Sequence, residues 1–468
     1  MEDKPAAQYS RRYVILASIM LGSIMGPIDA SIVNTTLPSI AEYFGTPLSN
    51  AQWVPIVYLL VLSSLLLFFG RLGDIFGYRL LYLSGLAGFI SASALCGVSY
   101  FLPGIHWLII FRALQGIAAA MMTAVTFAVI TASFPPGERG RSLGINAISI
   151  SAGLAIGPSL GGFITYAFGW PFVFLINVPV GLAAFFWARK VVPELKGQSG
   201  KIDVVGAVTS FVSFLSFLLF VNRLQKEGLD ASAVIMLLIS AAAAAWFLRA
   251  ESRSPAPMLN LGLFRSLTFT FSNISAMLNF MSQYVMVFIT PFFLQRVLHY
   301  EPNDVGLVMT AFPLAVMLVA PFSGLLSDRI GTRPLACLGA LICAVALFLM
   351  SRLVVTAGAW DVAWRLALFG LGTGIFQSPN NSAAMGASPR PMLGVSSGVL
   401  STVRSVGMVL GITTASYVLS VIVAPAVLQE PSLAGDAAAG FLSGLHYTYL
   451  TGAAMTGLAA FTSLVKTR

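Results

Sequence analysis

Apolar runs of roughly 20 residues recur from Arg12 almost to the end of the chain, and each is long enough to cross about 30 Å of hydrocarbon as a helix. That recurrence limits the fold more than any motif does. In lipid, every backbone N–H and C=O must find its partner inside the protein, so only helices and closed barrels span a membrane. A transmembrane barrel would instead show alternating segments of about 10 residues. Composition agrees, with 57% of residues hydrophobic and 9% charged, against about 25% charged in a soluble domain. The reading is an all-α, multi-pass integral membrane protein.

The runs divide into fourteen expected spans: 13–35, 51–70, 80–100, 106–132, 140–166, 171–190, 202–221, 231–250, 267–293, 303–326, 334–354, 362–386, 394–423 and 440–465. With the N-terminus inside, the inner loops carry 19 Lys and Arg and the outer loops 4, which satisfies the positive-inside rule. An even count puts both termini in the cytoplasm. The net charge of +9 does not imply nucleic-acid binding, because the basic residues are scattered over short loops. The first run is too long for a signal-peptide core and no small-residue cleavage site follows it. Cys96, Cys337 and Cys343 all lie inside apolar runs, without metal or disulfide spacing.

The chain repeats itself. GRLGDIFGYR (70–79) and GLLSDRIGTR (324–333) share Gly, Asp, Gly and Arg at one spacing, 254 residues apart. The same offset aligns Gly140, Gly144, Gly153 and Gly157 with Gly394, Gly398, Gly407 and Gly411, and an offset of 253 pairs Arg112 with Arg365. The expected organisation is a cytoplasmic N-terminus (1–12), a six-helix bundle (13–190), a linker (191–266) with two extra helices at about 202–221 and 231–250, and a second six-helix bundle (267–468). Parallel halves of this kind belong to transporters, with the substrate site near the midplane between them.

These segments resemble the major facilitator superfamily. GRLGDIFGYR is similar to its loop signature between the second and third helices, FRALQGIAAA (111–120) to its fourth-helix signature, and GLAIGPSLGG (153–162) to the fifth-helix motif of antiporters. DASIVNTTLP (29–38), QSPNNSAAMG (377–386) and STVRSVGMVLG (401–411) resemble the fourteen-helix drug:proton antiporters of the EmrB/QacA type. The resemblance implies the major facilitator fold and proton-coupled export.

Asp29 is the only acidic residue deep in any expected span. A charge at that depth costs about 2.5–3.5 kcal/mol on insertion scales, so such residues usually face a polar cavity and serve function. Two roles stay open for it: a proton carrier or one member of a fixed ion pair. Arg112 is its natural partner, with Gln115 three residues on and nearly on the same face; the resemblance extends a proton-coupling role to Arg112. Arg404 lies about ten residues into the thirteenth span without an obvious acid nearby, so helix carbonyls, Gln377, Asn380 or Asn381 are its candidate acceptors. Structural anchoring and substrate contact are equally open there.

Gly70, Arg71, Asp74, Gly77 and Arg79, with Asp328, Gly331 and Arg333 of the second copy, form an expected cytoplasmic gate. Glycines permit close approach, and Asp74 suits the positive N-terminal end of a helix from the other half. Arg79 is expected to pair across its loop. The second copy has Leu325 in place of Arg71, which predicts a weaker gate. Gly153, Gly157, Pro158, Gly161 and Gly162 give a small-residue face for close helix approach, which the resemblance marks as an antiporter motif sealing the interface between halves. Asn34, Trp53, Tyr58, Asn146, Asn279, Gln283, Tyr284, Phe288, Gln377 and Asn380 are candidates for the substrate cavity, with Gln115 and Arg404.

GLGTG (370–374) follows no strand, and there is no Walker sequence, Ser–His–Asp set or metal cluster. The expectation is therefore a non-enzyme without cofactors, energised by the proton gradient and monomeric in the inner membrane. Its expected cargo is a small hydrophobic or cationic compound; the alternative is an anionic or zwitterionic metabolite held by Arg112 and Arg404. A non-transporting membrane sensor is a third reading, and the longest segments outside the membrane leave little room for a signalling domain.

Overall fold

The computed structural model describes residues 11–194, 203–254, 257–424, 427, 433 and 435–464. Residues 1–10, 195–202, 255–256 and 465–468, parts of the expected terminal and linker segments, lie outside the described residues. Among the described residues every regular element is helical. The first group is α1 (Arg12–Tyr43), α2 (Trp53–Phe76), α3 (Tyr78–Val98), α4 (His106–Ser133), α5 (Arg139–Phe168) and α6 (Asn177–Val191, after a short turn Pro171–Leu175). Then come α7 (Val204–Glu227) and α8 (Ala231–Arg253). The last group is α9 (Leu267–Phe292), α10 (Ala311–Ile330, after Pro302–Met309), α11 (Thr332–Ser351), α12 (Ala359–Gly386), α13 (Leu393–Ile422) and α14 (Gly435–Leu464).

Eleven helices among the described residues are long and apolar enough to cross a membrane, and twelve if the bent α5 counts as one span. That is fewer than the fourteen expected. The two shortfalls are α12 and α14, of 28 and 30 residues, which do not reach the same apolarity. The reason in α12 is visible: Thr373, Ser378, Asn380, Asn381 and Ser382 are buried against neighbouring helices and not turned to the outside.

The repeat appears in the backbone. Gly77 (φ 96°) alone separates α2 from α3, and Gly331 (φ 93°), its repeat-mate, alone separates α10 from α11. An L-residue at such a φ costs about 1–2 kcal/mol, which is why both copies hold glycine. Within the first group α1 packs on α5 and α6, and α4 on α2 and α3; within the last, α9 packs on α13 and α14, and α12 on α10 and α11. The main pairs crossing between the groups are α5 with α10 and α2 with α13, and α13 also touches α4 and α12 touches α5. The α7–α8 pair packs on itself and lies against α2 and α13.

Small residues set the closest of these approaches. A Cβ at Gly153 would lie 2.9 Å from Pro27 Cβ, and one at Gly157 or Gly161 would collide with Ser31 or Thr35 of α1. Their repeat-mates behave alike: a Cβ at Gly407 would lie 2.7 Å from the Met277 carbonyl oxygen of α9, and one at Gly411 would strike that of Met281. The 153–161 glycines therefore face α1 of their own group, which corrects the expectation that this motif seals the interface between halves. Gly162 has no neighbour within 4 Å, so it takes no part in that seam. The helix bends by 48° between Gly157 and Ser159, where the sequence has a proline, which supplies no backbone N–H to the helix.

Overpacking a close helix seam costs about 1–3 kcal/mol. Gly157→Val should accordingly lower the melting temperature of the purified protein by several degrees, while Gly162→Val should leave it nearly unchanged. Equal effects at the two positions would contradict the packing described.

Candidate functional site

Asp29 sits midway along α1, and its carboxylate is fully enclosed. Three helices converge on it. From α4, Arg112 Nη1 donates to Asp29 Oδ2 at 2.6 Å and Gln115 Nε2 donates to Oδ1 at 3.0 Å. From α6, Asn177 Nδ2 donates to the same Oδ1 at 3.0 Å. Arg112 and Gln115 reach one carboxylate because residues three apart share a helix face. Arg112 is held independently as well. Its Nε donates to the Val54 carbonyl of α2 at 3.1 Å, Nη1 also donates to Gln115 Oε1 at 2.6 Å, and its guanidinium carbon lies 4.3 Å from the Tyr58 ring centroid and 5.6 Å from that of Phe174. Gln115 Nε2 donates further to Ser93 Oγ of α3 at 2.8 Å.

The electrostatics follow from that geometry. Two opposite charges, both wholly buried, cancel in a medium where either one alone would be costly. Removing one partner of such a pair typically costs about 3–5 kcal/mol, because the other charge is stranded. One donor in the cluster is left over: Arg112 Nη2 has no partner. The arrangement ties α1, α2, α3, α4 and α6 through one neutral network whose balance depends on the charge of a single carboxylate.

A second polar constellation joins the two groups of helices. Asp74, near the end of α2, accepts from the backbone N–H of Gly394 at 2.7 Å and of Val395 at 2.8 Å, the first turn of α13. Asp328, near the end of α10, accepts from the N–H of Gly140 at 2.9 Å and of Arg141 at 3.0 Å, the first turn of α5. The donors, like the acids, are 254 residues apart. Each half thus supplies the carboxylate that satisfies the free N–H groups and the positive dipole end of a helix in the other, an arrangement worth up to about 2 kcal/mol apiece when partly buried.

Glycine makes the approach possible. A Cβ on Gly70 would lie 3.2 Å from Gly398 Cα, and Cβ atoms on Gly394, Gly140 and Gly324 would run into the facing backbone. The surroundings of the two acids differ. Asp74 is buried and also accepts from Tyr78 Oη at 2.7 Å; Asp328 is half-buried, and Thr332 stands where its tyrosine would be.

Arg79 departs from expectation. Its guanidinium bonds Glu194 Oε1 at 2.8 Å and the Arg189 carbonyl, past and at the end of α6 in the same group. The start of α3 lies beside the end of α6, where the last carbonyls attract cations. Arg71 Nε is buried without a partner. Arg333 lines a polar crevice with Thr268, Ser272, Asn380 and Ser463.

The expected cavity residues divide. Tyr58 and Gln115 belong to the Asp29 cluster. Gln377 Nε2 donates to Gln283 Oε1 at 3.4 Å, joining α12 to α9. Asn380 Nδ2 donates to the Ser272 carbonyl at 3.0 Å. Asn279 makes only a long contact to Cys343 Sγ, 3.9 Å, and its Oδ1 is unpartnered, as is Asn146 Oδ1; both residues are buried. Trp53, Tyr284 and Phe288 are half-buried, and the side chain of Asn34 lies outside the described residues. Arg404 donates from Nη2 to Asn381 Oδ1 at 2.5 Å, one of the acceptors expected for it. Arg365, by contrast, pairs locally with Asp361 at 2.6 Å.

Sequence reasoning missed Asn177 and Ser93. Asn177 stands alone as an amide in the apolar stretch FLINVPVG, and that isolation was the available signal. Ser93 gave none, since serine is common in membrane helices. Phe127 and Phe280, which flank Arg404, were likewise indistinguishable from packing.

The profile of the Major Facilitator Superfamily matches residues 19–412 and, in a second alignment, 272–466. The riboflavin transporter RibZ of Clostridioides difficile (strain 630) is 32% identical over 86% of this chain and 87% of its own. The multidrug resistance protein Stp of Mycobacterium tuberculosis (strain CDC 1551 / Oshkosh) is 31% identical over 86% of this chain and 74% of its own. In fold, the chain is similar to the crystal structure of the human organic anion transporter MFSD10 (TETRAN), with a TM-score of 0.64 and 14% identity over 98% of this chain and 100% of that one.

The reciprocal caps lead to a separable test by amide hydrogen exchange. Asp74→Asn should speed exchange at Gly394 and Val395 by tenfold or more, and Asp328→Asn should do so at Gly140 and Arg141. If neither change alters exchange at the opposite half, the two carboxylates do not hold this end together.

Proposed function

Because the chain belongs to the Major Facilitator Superfamily, we propose that it is a proton-coupled exporter of small molecules, working by alternating access of its two bundles. The observation that carries this reading is the enclosure of Asp29, a lone deep carboxylate whose donors come from α4 and α6. With Asp29 ionised, its charge cancels that of Arg112 and the three helices are tied together. A proton on Asp29 ends the cancellation, leaves Arg112 in need of another acceptor and frees α1 to move against α4. A single such acid fits a low proton count.

In this reading the ends of the bundle bearing Asp74 and Asp328 face the cytoplasm, and their caps must part for the cavity to open inward. The fourteen-span, EmrB/QacA-type topology adds α12 and α14 to the twelve apolar spans, with both termini inside. Their repeat relation to α4 and α6 and their packing against α10 and α11 support the addition. The bundles are 13–190 and 267–468, with α7 and α8 inserted in the 191–266 linker. The protein works as a monomer in the inner membrane and carries no cofactor.

Two substrate readings differ in charge. The multidrug relative supports a hydrophobic or cationic cargo. The charge balance of the interior favours the other, an anionic or zwitterionic cargo: Asp29 has no face free to receive a cation, and Arg404 has no acid beside it. The riboflavin transporter among the relatives is compatible with it.

Proteoliposomes with an imposed pH gradient test the coupling. Addition of rhodamine 6G or fluorescein should discharge the gradient with the parent protein. Asp29→Asn should reduce that discharge at least tenfold while dye binding in detergent persists. Undiminished discharge in the variant would remove Asp29 from the coupling step.

A further inference from the structure

Arg404 occupies the middle of α13, in the stretch between the two groups of helices. Its guanidinium carbon lies 4.7 Å from the ring centroid of Phe127 on α4 and 5.1 Å from that of Phe280 on α9. One ring comes from each group, so the cation is stacked across their interface. Such stacking satisfies the faces of a guanidinium and leaves its edge to hydrogen-bond acceptors. On that edge Nη2 is taken by the neutral amide oxygen of Asn381, Nε is buried without a partner, and among the described residues no carboxylate pairs with it. The residue as a whole is half-buried.

The repeat shows that the scaffold does not require this charge. The equivalent position in the first half, 254 residues earlier, is Ile150, and α5 packs on α1 there as α13 packs on α9. The other deep arginine, Arg112, is already neutralised by Asp29. Among the described residues Arg404 is thus a deep cation without a carboxylate partner, flanked by two aromatic rings.

We propose that Arg404, with Phe127, Phe280 and Asn381, forms the binding subsite for an oxyanion of the cargo, and that the cargo is an amphipathic carboxylate with a flat conjugated body. A carboxylate in the guanidinium plane supplies the missing counter-charge through charge-assisted hydrogen bonds. The body of the cargo then lies along the phenylalanine faces. The subsite spans both groups, so binding there joins the halves, and their separation takes Phe127 away from the cation. This inference rests on the transport reading above and narrows its substrate class.

Two dyes of one xanthene scaffold and opposite charge make the test: anionic fluorescein and cationic rhodamine 6G, measured by fluorescence anisotropy on the full chain in nanodiscs without any gradient. The parent should bind fluorescein more tightly, and excess benzoate should displace it. Arg404→Gln should weaken fluorescein at least tenfold without weakening rhodamine 6G, and Arg404→Lys should recover only part, because an ammonium lacks the planar fork. Equal affinity for the two dyes in the parent, or preference for rhodamine 6G, would overturn the proposal. So would an equal loss of both dyes in Arg404→Gln, the signature of an anchor alone. If that variant does not fold, the dye preference and benzoate competition of the parent decide. Because no proton gradient is used, failure here is distinct from failure of Asp29 coupling: a protein that meets these criteria yet moves no protons retains the subsite and loses the antiport mechanism.

Discussion

The buried pair of Asp29 and Arg112 is the constraint on which the first half of the molecule is built. Neither charge is tolerable alone in an interior that excludes water: both carboxylate oxygens accept hydrogen bonds, and Arg112 donates from Nε and Nη1, while its Nη2 is left without a partner. Five helices contribute to these bonds. Such a network of charge-assisted hydrogen bonds ties these helices to one another. Among the described residues the second half shows no such centre. Asp29 corresponds there to Gln283, which meets Gln377 in a weak neutral contact, and Arg365 turns outward to a local acid. The duplicated scaffold has been charged unequally, with a buried ion pair in one half and, among the described residues, a deep cation without a carboxylate partner in the other.

The paired helix caps carry the opposite lesson, because there the duplication is kept. Asp74 and Asp328 each reach over to the first turn of a helix from the other half, and glycines on both sides let the backbones touch. Each cap joins the two groups through a carboxylate and two backbone N–H groups. The α7–α8 pair and the segment after it sit beside these caps: Met258, Leu259 and Leu263 are buried with Leu67 of α2 and with Val395 and Val399 of α13. Any opening at this end therefore has to rearrange a cluster to which the inserted helices contribute.

Much of this was legible in the sequence, for a physical reason. Charges are rare in membrane helices, so Asp29, Arg112 and Arg404 stood out, and a 254-residue offset located the paired gates. Neutral polar groups were harder, because serine and asparagine occur in membrane helices for several reasons; Asn177 and Ser93 acquire meaning only once α3 and α6 are placed beside α4. Phe127 and Phe280 could not have been singled out at all. Arg79 was misassigned because the neighbour it chose, the end of α6, is 110 residues away in the chain. The span count fell short of fourteen by apolarity because α12 turns its amides inward, where composition alone cannot tell a buried polar face from an exposed one.

The central claim is that the proton state of Asp29 and the occupancy of the cargo site are coupled. Difference infrared spectroscopy of the reconstituted protein reads it directly, through the C=O stretch of a protonated carboxyl. Adding fluorescein at fixed pH should change the intensity of one such band, and that change should be absent from Asp29→Asn. A ligand-induced carboxyl band that persists unchanged in the variant, or no band at all in the parent, would contradict the account.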